Sequence, residues 1–185
     1  DGVGFTPPRP SEAFYSEGDP AAGNKKDHPG PVLIRPIENG SVIDHVERNP
    51  YVIGKIGRLL GLRDHHNIFR SGVVDSIARP GVVKGVLMIK DRYLGDEEAR
   101  LIATVAPGCT INDIRAGNVT RKRRLHLPDI VEGLTDMQCT NHRCITRKEY
   151  HEHVPPRAIR VGAPDEGTIV KCAYCNNLME SHEMF

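Results

Sequence analysis

The sequence predicts an α+β chain in two parts: an antiparallel sheet with two helices on one face, then a small β domain organised by four cysteines. Three observations carry this. Between residues 33 and 128 apolar residues recur alternately at strand and helix spacing. Pro and Gly punctuate those runs as turns and helix stops. Four of the five cysteines then fall in two close pairs, Cys139 with Cys144 and Cys172 with Cys175.

Composition excludes several classes. Acids and bases nearly cancel, 24 against 25, so no global field marks a nucleic-acid binder. No uninterrupted apolar run approaches the roughly eighteen residues of a membrane helix. No signal-peptide pattern opens the chain, although it begins at Asp1 rather than Met, which leaves room for a removed targeting segment. Free thiols at metal-ligand spacing suit a reducing compartment, the cytoplasm or, after such removal, an organelle interior.

Residues 1–32 are rich in Pro and Gly, with Phe5, Phe14 and Tyr15 as their large apolar anchors. Alone they read as an extended N-terminal arm, either a solvated tail or a strap for a partner. The run Val32 to Ile37 leads to the turn signal Asn39-Gly40, and Ser41 to Val46 continues as an apolar strand ending in polar residues. Asn49-Pro50 is an N-cap and N1 pair. Val52, Ile53, Ile56, Leu59 and Leu60 then follow helical spacing, with Gly61 as a left-handed cap.

A strand around Asn67 to Val74 comes next, then a clearer one from Val82 to Lys90. In the latter Val83, Gly85, Leu87 and Ile89 form a core face, and Lys84, Val86, Met88 and Lys90 the other. Its lysines are read as a solvated face or as anion contacts. Asp96-Glu97-Glu98 opens a second helix where negative charge is favoured. Ala99, Ile102, Ala103 and Ala106 are its buried stripe, and Pro107-Gly108 stops it. Cys109 to Arg115 alternates as a strand, Gly117-Asn118 turns, and Val119 begins a last short strand. The order strand, helix, strands, helix, strand, strand is that of a ferredoxin-like α/β sandwich. Arg121 to Arg124 is the basic cluster, read as solvated or as a phosphate contact. Leu125-His126-Leu127-Pro128 is read as a hinge.

Residues 129–185 are too few for a self-sufficient core. The C-x4-C and C-x2-C pairs supply four soft thiolates, the set tetrahedral zinc prefers, and a closed set makes that zinc structural. Two rival readings are weaker: disulfides need an oxidising compartment and leave Cys109 over, and ordinary buried cysteines are not expected to fall in two close pairs. His142, inside the first loop, would have to displace a better thiolate and is read as solvent-facing.

From about Ile34 onward the chain resembles the regulatory chain of aspartate carbamoyltransferase. The resemblance rests on Gly40-Ser41-Val42-Ile43-Asp44-His45, on Ala106-Pro107 through Thr110-Ile111-Asn112, on Leu127-Pro128 and on the cysteine spacing. It implies a non-catalytic subunit of pyrimidine biosynthesis. Residues 33–128 would bind ATP or CTP, and the zinc domain of residues 129–185 would dock on catalytic chains. A regulatory-chain homodimer is a further implication. Effectors would bias two quaternary states, which is allostery in the strict sense. Carried over by residue, Asp44 and His45 take nucleotide-contact positions, Lys84 and Lys122 fall on matching lysines, and Ile34, Ile37, Val42, Asn112, Ile114 and Val119 enclose the base. Cys139, Cys144, Cys172 and Cys175 take the zinc positions.

The chain departs from the family pattern in three places. Met88 replaces a mid-strand lysine, for which Lys90 on the same face is the substitute. Gly117 replaces a tyrosine. The arm and the stretch between Gly61 and Val82 are longer. These departures motivate a rival function, a structural subunit of a larger assembly with a degraded nucleotide pocket. A third reading, a zinc ribbon binding nucleic acid through Arg121–Arg124, is disfavoured by the balanced charge. No catalytic constellation appears: Asp44 and His45 are successive strand residues, expected on opposite faces.

Overall fold

The computed structural model describes residues 14–23, 36–62, 69–76, 79–150, 152–163 and 167–185. Ile34 with the rest of 32–35, residues 1–13 and 24–31 of the arm (Phe5 among them), and Asn67 at the start of the expected third strand lie outside the described residues. A six-stranded antiparallel sheet has the order β1-β6-β5-β2-β4-β3. Its strands are β1 (Tyr15–Gly18), β2 (Gly40–Val46), β3 (Phe69–Asp75), β4 (Val83–Lys90), β5 (Thr110–Arg115) and β6 (Asn118–Leu125). Helix α1 (Ile53–Leu59) links β2 to β3, and α2 (Asp96–Val105) links β4 to β5. The inner order β5-β2-β4-β3 with these two crossovers is the ferredoxin-like arrangement.

One core joins the helices to one face of this sheet. Ile43, Leu87, Ile89, Ile111 and Leu125 meet Ile53, Ile56, Ala99, Ile102 and Ala103 there. Gly85 permits the closest approach: a Cβ on it would lie 2.6 Å from the Pro50 carbonyl oxygen. Asn49 makes no side-chain cap. Instead Pro50–Val52 forms a 3-10 turn that runs into α1. Gly61 then takes the left-handed conformation (φ 67°), and Leu62 N–H donates to the Gly57 carbonyl at 2.9 Å. At α2 the Glu98 carboxylate accepts from Gly95 N–H at 3.0 Å, which satisfies an otherwise orphaned donor.

Four local expectations change. Val83 is 40 % exposed at the start of β4 rather than part of the core face, whereas Val86 on the opposite face is buried. The hairpin turn falls on Ala116-Gly117, both with positive φ (48° and 75°), as a two-residue type I′ turn requires. Strand β6 therefore begins at Asn118 and runs eight residues. It takes in the whole basic cluster, which is not a solvated run. Arg123 is only 1 % exposed; its Nη2 donates to the Leu94 carbonyl at 2.8 Å, with Asp113 and Asp96 each 3.6 Å away.

The N-terminal segment lays β1 on β6 of its own chain, pairing Tyr15 with Leu125 through Gly18 with Lys122. His126 N–H donates to the Phe14 carbonyl at 2.7 Å, and Phe14 is buried in the main core.

The second lobe is a four-stranded sheet of order β10-β9-β8-β7, made of β7 (Ile130–Glu132), β8 (Arg157–Arg160), β9 (Ile169–Cys172) and β10 (Leu178–Glu180). Its core gathers Leu127, Val131, Ala158, Val170, Met179 and Met184 around the cysteines. The link between lobes is anchored at both ends, because Leu125 belongs to one core and Leu127 to the other. Phe185 packs against both, and Lys55 Nζ donates to the His182 carbonyl at 2.7 Å. Among the described residues no helix is long and apolar enough to cross a membrane.

Candidate functional site

The metal centre is built from two tight turns. In the first, Cys144 N–H donates to the Asn141 carbonyl at 3.0 Å, and Arg143 N–H donates to Asn141 Oδ1 at 3.0 Å. In the second, Asn176 takes positive φ (59°), which lets its N–H return to the Cys172 carbonyl at 3.1 Å. The four sulfurs converge within 4.8 Å of one another. Cys139 and Cys175 sulfurs are 3.6 Å apart, and those of Cys144 and Cys172 are 3.7 Å apart. A disulfide needs about 2.05 Å, so these are free thiols. A tetrahedral metal with sulfur at about 2.3 Å has edges of about 3.8 Å, close to what is seen.

Surrounding groups support thiolate ligation. Asn141 N–H points at Cys139 Sγ at 3.4 Å, and the Thr146 hydroxyl lies 3.2 Å from Cys144 Sγ. Burial pushes the Cys139 and Cys172 thiols up. Burial also acts on Cys175, but the Asn177 backbone N–H and the Asn141, Cys139 and Cys172 side chains outweigh it and bring that thiol to about 7. A cation among the four is what would hold the rest as thiolates. His142 is exposed and outside the cluster. Cys109 is buried in the other lobe, and burial raises its thiol strongly.

The second constellation lies on the sheet face away from the helices. Cross-strand register sets Arg70, Met88, Val42, Asn112, Lys122 and Gly18 in one row from β3 to β1. Ile114 and Val119 oppose each other next to that row, and the Tyr93 hydroxyl donates to the Ile114 carbonyl at 3.0 Å. Ile37 is half-buried just ahead of β2.

At the end of β2, Lys84 Nζ lies 2.8 and 3.0 Å from the two oxygens of Asp44. The expectation that Asp44 and His45 point apart does not hold. The β2–β4 register shifts between Ile43 and Val46, His45 takes a positive φ of 61°, and its Nδ1 comes within 3.2 Å of Asp44 Oδ2. Burial alone would raise the Asp44 carboxyl, but hydrogen bonds from His45 and Lys84, with their charges, hold it well below the usual carboxylate range. Lys90 is not part of this group. It is exposed opposite Gly40, about 20 Å along the strand from Lys84 at about 3.4 Å per residue.

Sequence reasoning missed a cleft of about 570 Å³ beside this end, where Arg48, Arg79, Arg124 and His126 join Lys122 and His45. Arg48 and Arg79 belong to no motif, so only the fold brings them there.

The chain matches a family model described as the aspartate carbamoyltransferase regulatory chain, allosteric domain, over residues 32–126. A second model, the metal binding domain of the same regulatory chain, matches residues 129–185. Among relatives, the aspartate carbamoyltransferase regulatory chain of Thermofilum pendens is 33% identical over 153 residues, covering 83% of this chain and 92% of the relative. That of Ignicoccus hospitalis is 34% identical over 152 residues, covering 82% and 92%. Protein PyrBI of Thermotoga maritima is 31% identical over 144 residues, which is 77% of this chain and 27% of that protein's length.

Proposed function

This chain belongs to the aspartate carbamoyltransferase regulatory-chain family, and from that premise we propose that it senses ATP and CTP on its sheet face. Its relatives are named as regulatory chains, and its own role is non-catalytic. The observation that carries the effector reading is the polar end of that face. Lys84 Nζ and the His45 backbone N–H both donate to the Asp44 carboxylate, the His45 ring lies 3.2 Å from it, and the row holding Val42, Asn112 and Lys122 runs beside them.

Each residue has a task in this reading. Val42, Ile114 and Val119 offer apolar area for a base, with Ile37 and Ile34 at the edge. Asn112 has donor and acceptor atoms for a base edge, and Asp44 keeps lone pairs for an amino or hydroxyl group. Lys84, His45 and Lys122 meet ribose and phosphate charge, while Lys90 stands apart. The domain division follows, with the effector domain at 33–128, the zinc domain at 129–185 and the arm at 1–32. Zinc is the metal that suits four thiolates with no open position. Held by Cys139, Cys144, Cys172 and Cys175, it would fix the lobe's shape rather than react. That lobe docks on catalytic chains, in the cytoplasm or an organelle interior. Phe185 and the Lys55–His182 hydrogen bond are the physical links by which loading the sheet face reaches it. A homodimer of regulatory chains is part of the same proposal.

Isothermal titration of CTP and of ATP into the zinc-loaded chain tests the effector reading. Saturable heat is expected for both, with each nucleotide competing against the other. No heat at millimolar nucleotide contradicts it.

Two observations favour a second reading, a structural subunit of a larger assembly. Met88 sits at the centre of the row where the resemblance places a lysine. Gly117 occupies a left-handed turn position (φ 75°) that disfavours the tyrosine found in the family. Companion chains recovered with the native protein separate the readings, since only the first requires a carbamoyltransferase among them.

A further inference from the structure

We propose that residues Ser16–Asp19 form a built-in wall at the anion end of the effector site, with Gly18 setting the course of Lys122 into it. This rests on the effector reading above and adds a part that the family resemblance, which begins near Ile34, does not contain.

The wall is a strand. Backbone pairing of β1 with β6 places Gly18 directly opposite Lys122 and Ser16 opposite Arg124. These four residues share the sheet face that carries Asn112 and Val42, because directly opposed residues in an antiparallel sheet point the same way. The cleft of about 570 Å³ is lined by Ser16–Asp19 together with His45, Arg48, Lys122 and Arg124.

Gly18 is the critical position. Its backbone is not left-handed, so glycine is not required by turn geometry. What its missing side chain leaves is space: a Cβ there would lie 3.1 Å from Lys122 Cδ and 3.2 Å from Cγ. The lysine stem therefore lies across the strand on its way to the cleft.

The acids on this rim already have partners. Glu17 Oε1 accepts from Arg121 Nη2 at 2.8 Å, Asp19 Oδ1 accepts from Ala21 N–H at 2.8 Å, and Glu47 pairs with Arg79 at 2.9 Å. Among the described residues, the ammonium of Lys122 and the guanidinium of Arg124 line the cleft with no acidic partner and can face a polyanion. Ser16 Oγ lies 3.2 Å from His126 Nε2 and ties the wall to the floor of the cleft. The ligand class is a chain of phosphates, as on a nucleoside triphosphate.

The test uses the full zinc-loaded chain and isothermal titration with CTP and with inorganic tripolyphosphate. The proteins are wild type, Gly18→Val, Lys122→Ala and the double variant. Valine suits an edge strand, so Gly18→Val keeps the wild-type melting temperature or raises it. It nonetheless weakens both ligands about tenfold, the scale of one displaced charge-assisted contact. In the Lys122→Ala background the same change does little more, because the group it displaces is gone. Gly18→Ala, which asks the lysine stem to give by less, shifts affinity in the same direction and serves if the valine form does not fold. Wild-type affinity in the folded Gly18 variants, with Lys122→Ala weakened, overturns the wall and leaves the effector reading standing. If wild type binds neither ligand, the effector reading fails and the wall falls with it.

Discussion

Removing the metal by chelation is expected to unfold residues 129–185 and to leave the six-stranded sheet in place. The second lobe buries few large side chains beyond Leu127, Val131, Met137, Val170, Met179 and Met184, and four of its buried or half-buried residues are the cysteines themselves. Its turns at Cys139–Cys144 and Cys172–Cys175 converge from distant parts of the lobe, and without a cation their buried thiols have no reason to stay together. Structural thiolate sites contribute on the order of 10–16 kcal/mol, more than a lobe of this size gains from apolar burial. The larger lobe has its own core, from Phe14 to Leu125, and is expected to keep it without the metal. Amide hydrogen exchange checks this: protection in β8 and β9 is lost on chelation, and protection in β2 and β4 persists. Unchanged protection in β8 and β9 contradicts the assignment of that lobe's stability to the metal.

The second large effect is expected at Phe14. This residue lies in the segment that reads as an extended arm, yet it is 2 % exposed in the main core. Its ring meets Tyr15 edge-on at 5.3 Å between centroids, and its carbonyl accepts from His126 N–H. Phe14→Ala leaves a cavity under β1 and should destabilise the sheet domain by about 3–5 kcal/mol. Urea unfolding followed by circular dichroism measures it. A loss below about 1 kcal/mol, the range of an ordinary surface substitution, would return Phe14 to the status of a tail residue.

Much of the architecture is legible in local pattern, because its signals are local. The spacing of Val52 to Leu60 and of Ala99 to Ala106 marks two helices, Gly61 and Pro107-Gly108 end them, and the cysteine pairs announce their own turns. The sandwich with two helices and the small four-cysteine lobe follow from these. What escapes notice depends on partners far away in sequence. Strand β1 gains its meaning only from β6, over a hundred residues on. The run Arg121–Arg124 looks solvated because its charges are visible and its partners are not. Arg123 is buried because the Leu94 carbonyl and the Asp96 and Asp113 carboxylates converge on it.

The candidate site shows the same division. Alternation along β4 and β5 correctly puts Lys84 with Met88, and Asn112 with Ile114, on one face. Alternation fails at Asp44-His45, where a register shift and one left-handed residue bring neighbours into contact. No periodic rule signals that break. Arg48 and Arg79 reach the cleft through loop geometry alone.

If four thiolates on one metal ion shape the C-terminal lobe, X-ray absorption at the zinc edge of the purified chain will see them. The expected result is one zinc per chain with four sulfur neighbours at about 2.3 Å and no lighter atom in the shell. A shell containing nitrogen or oxygen, or sulfurs bonded to each other at about 2.05 Å, would contradict it.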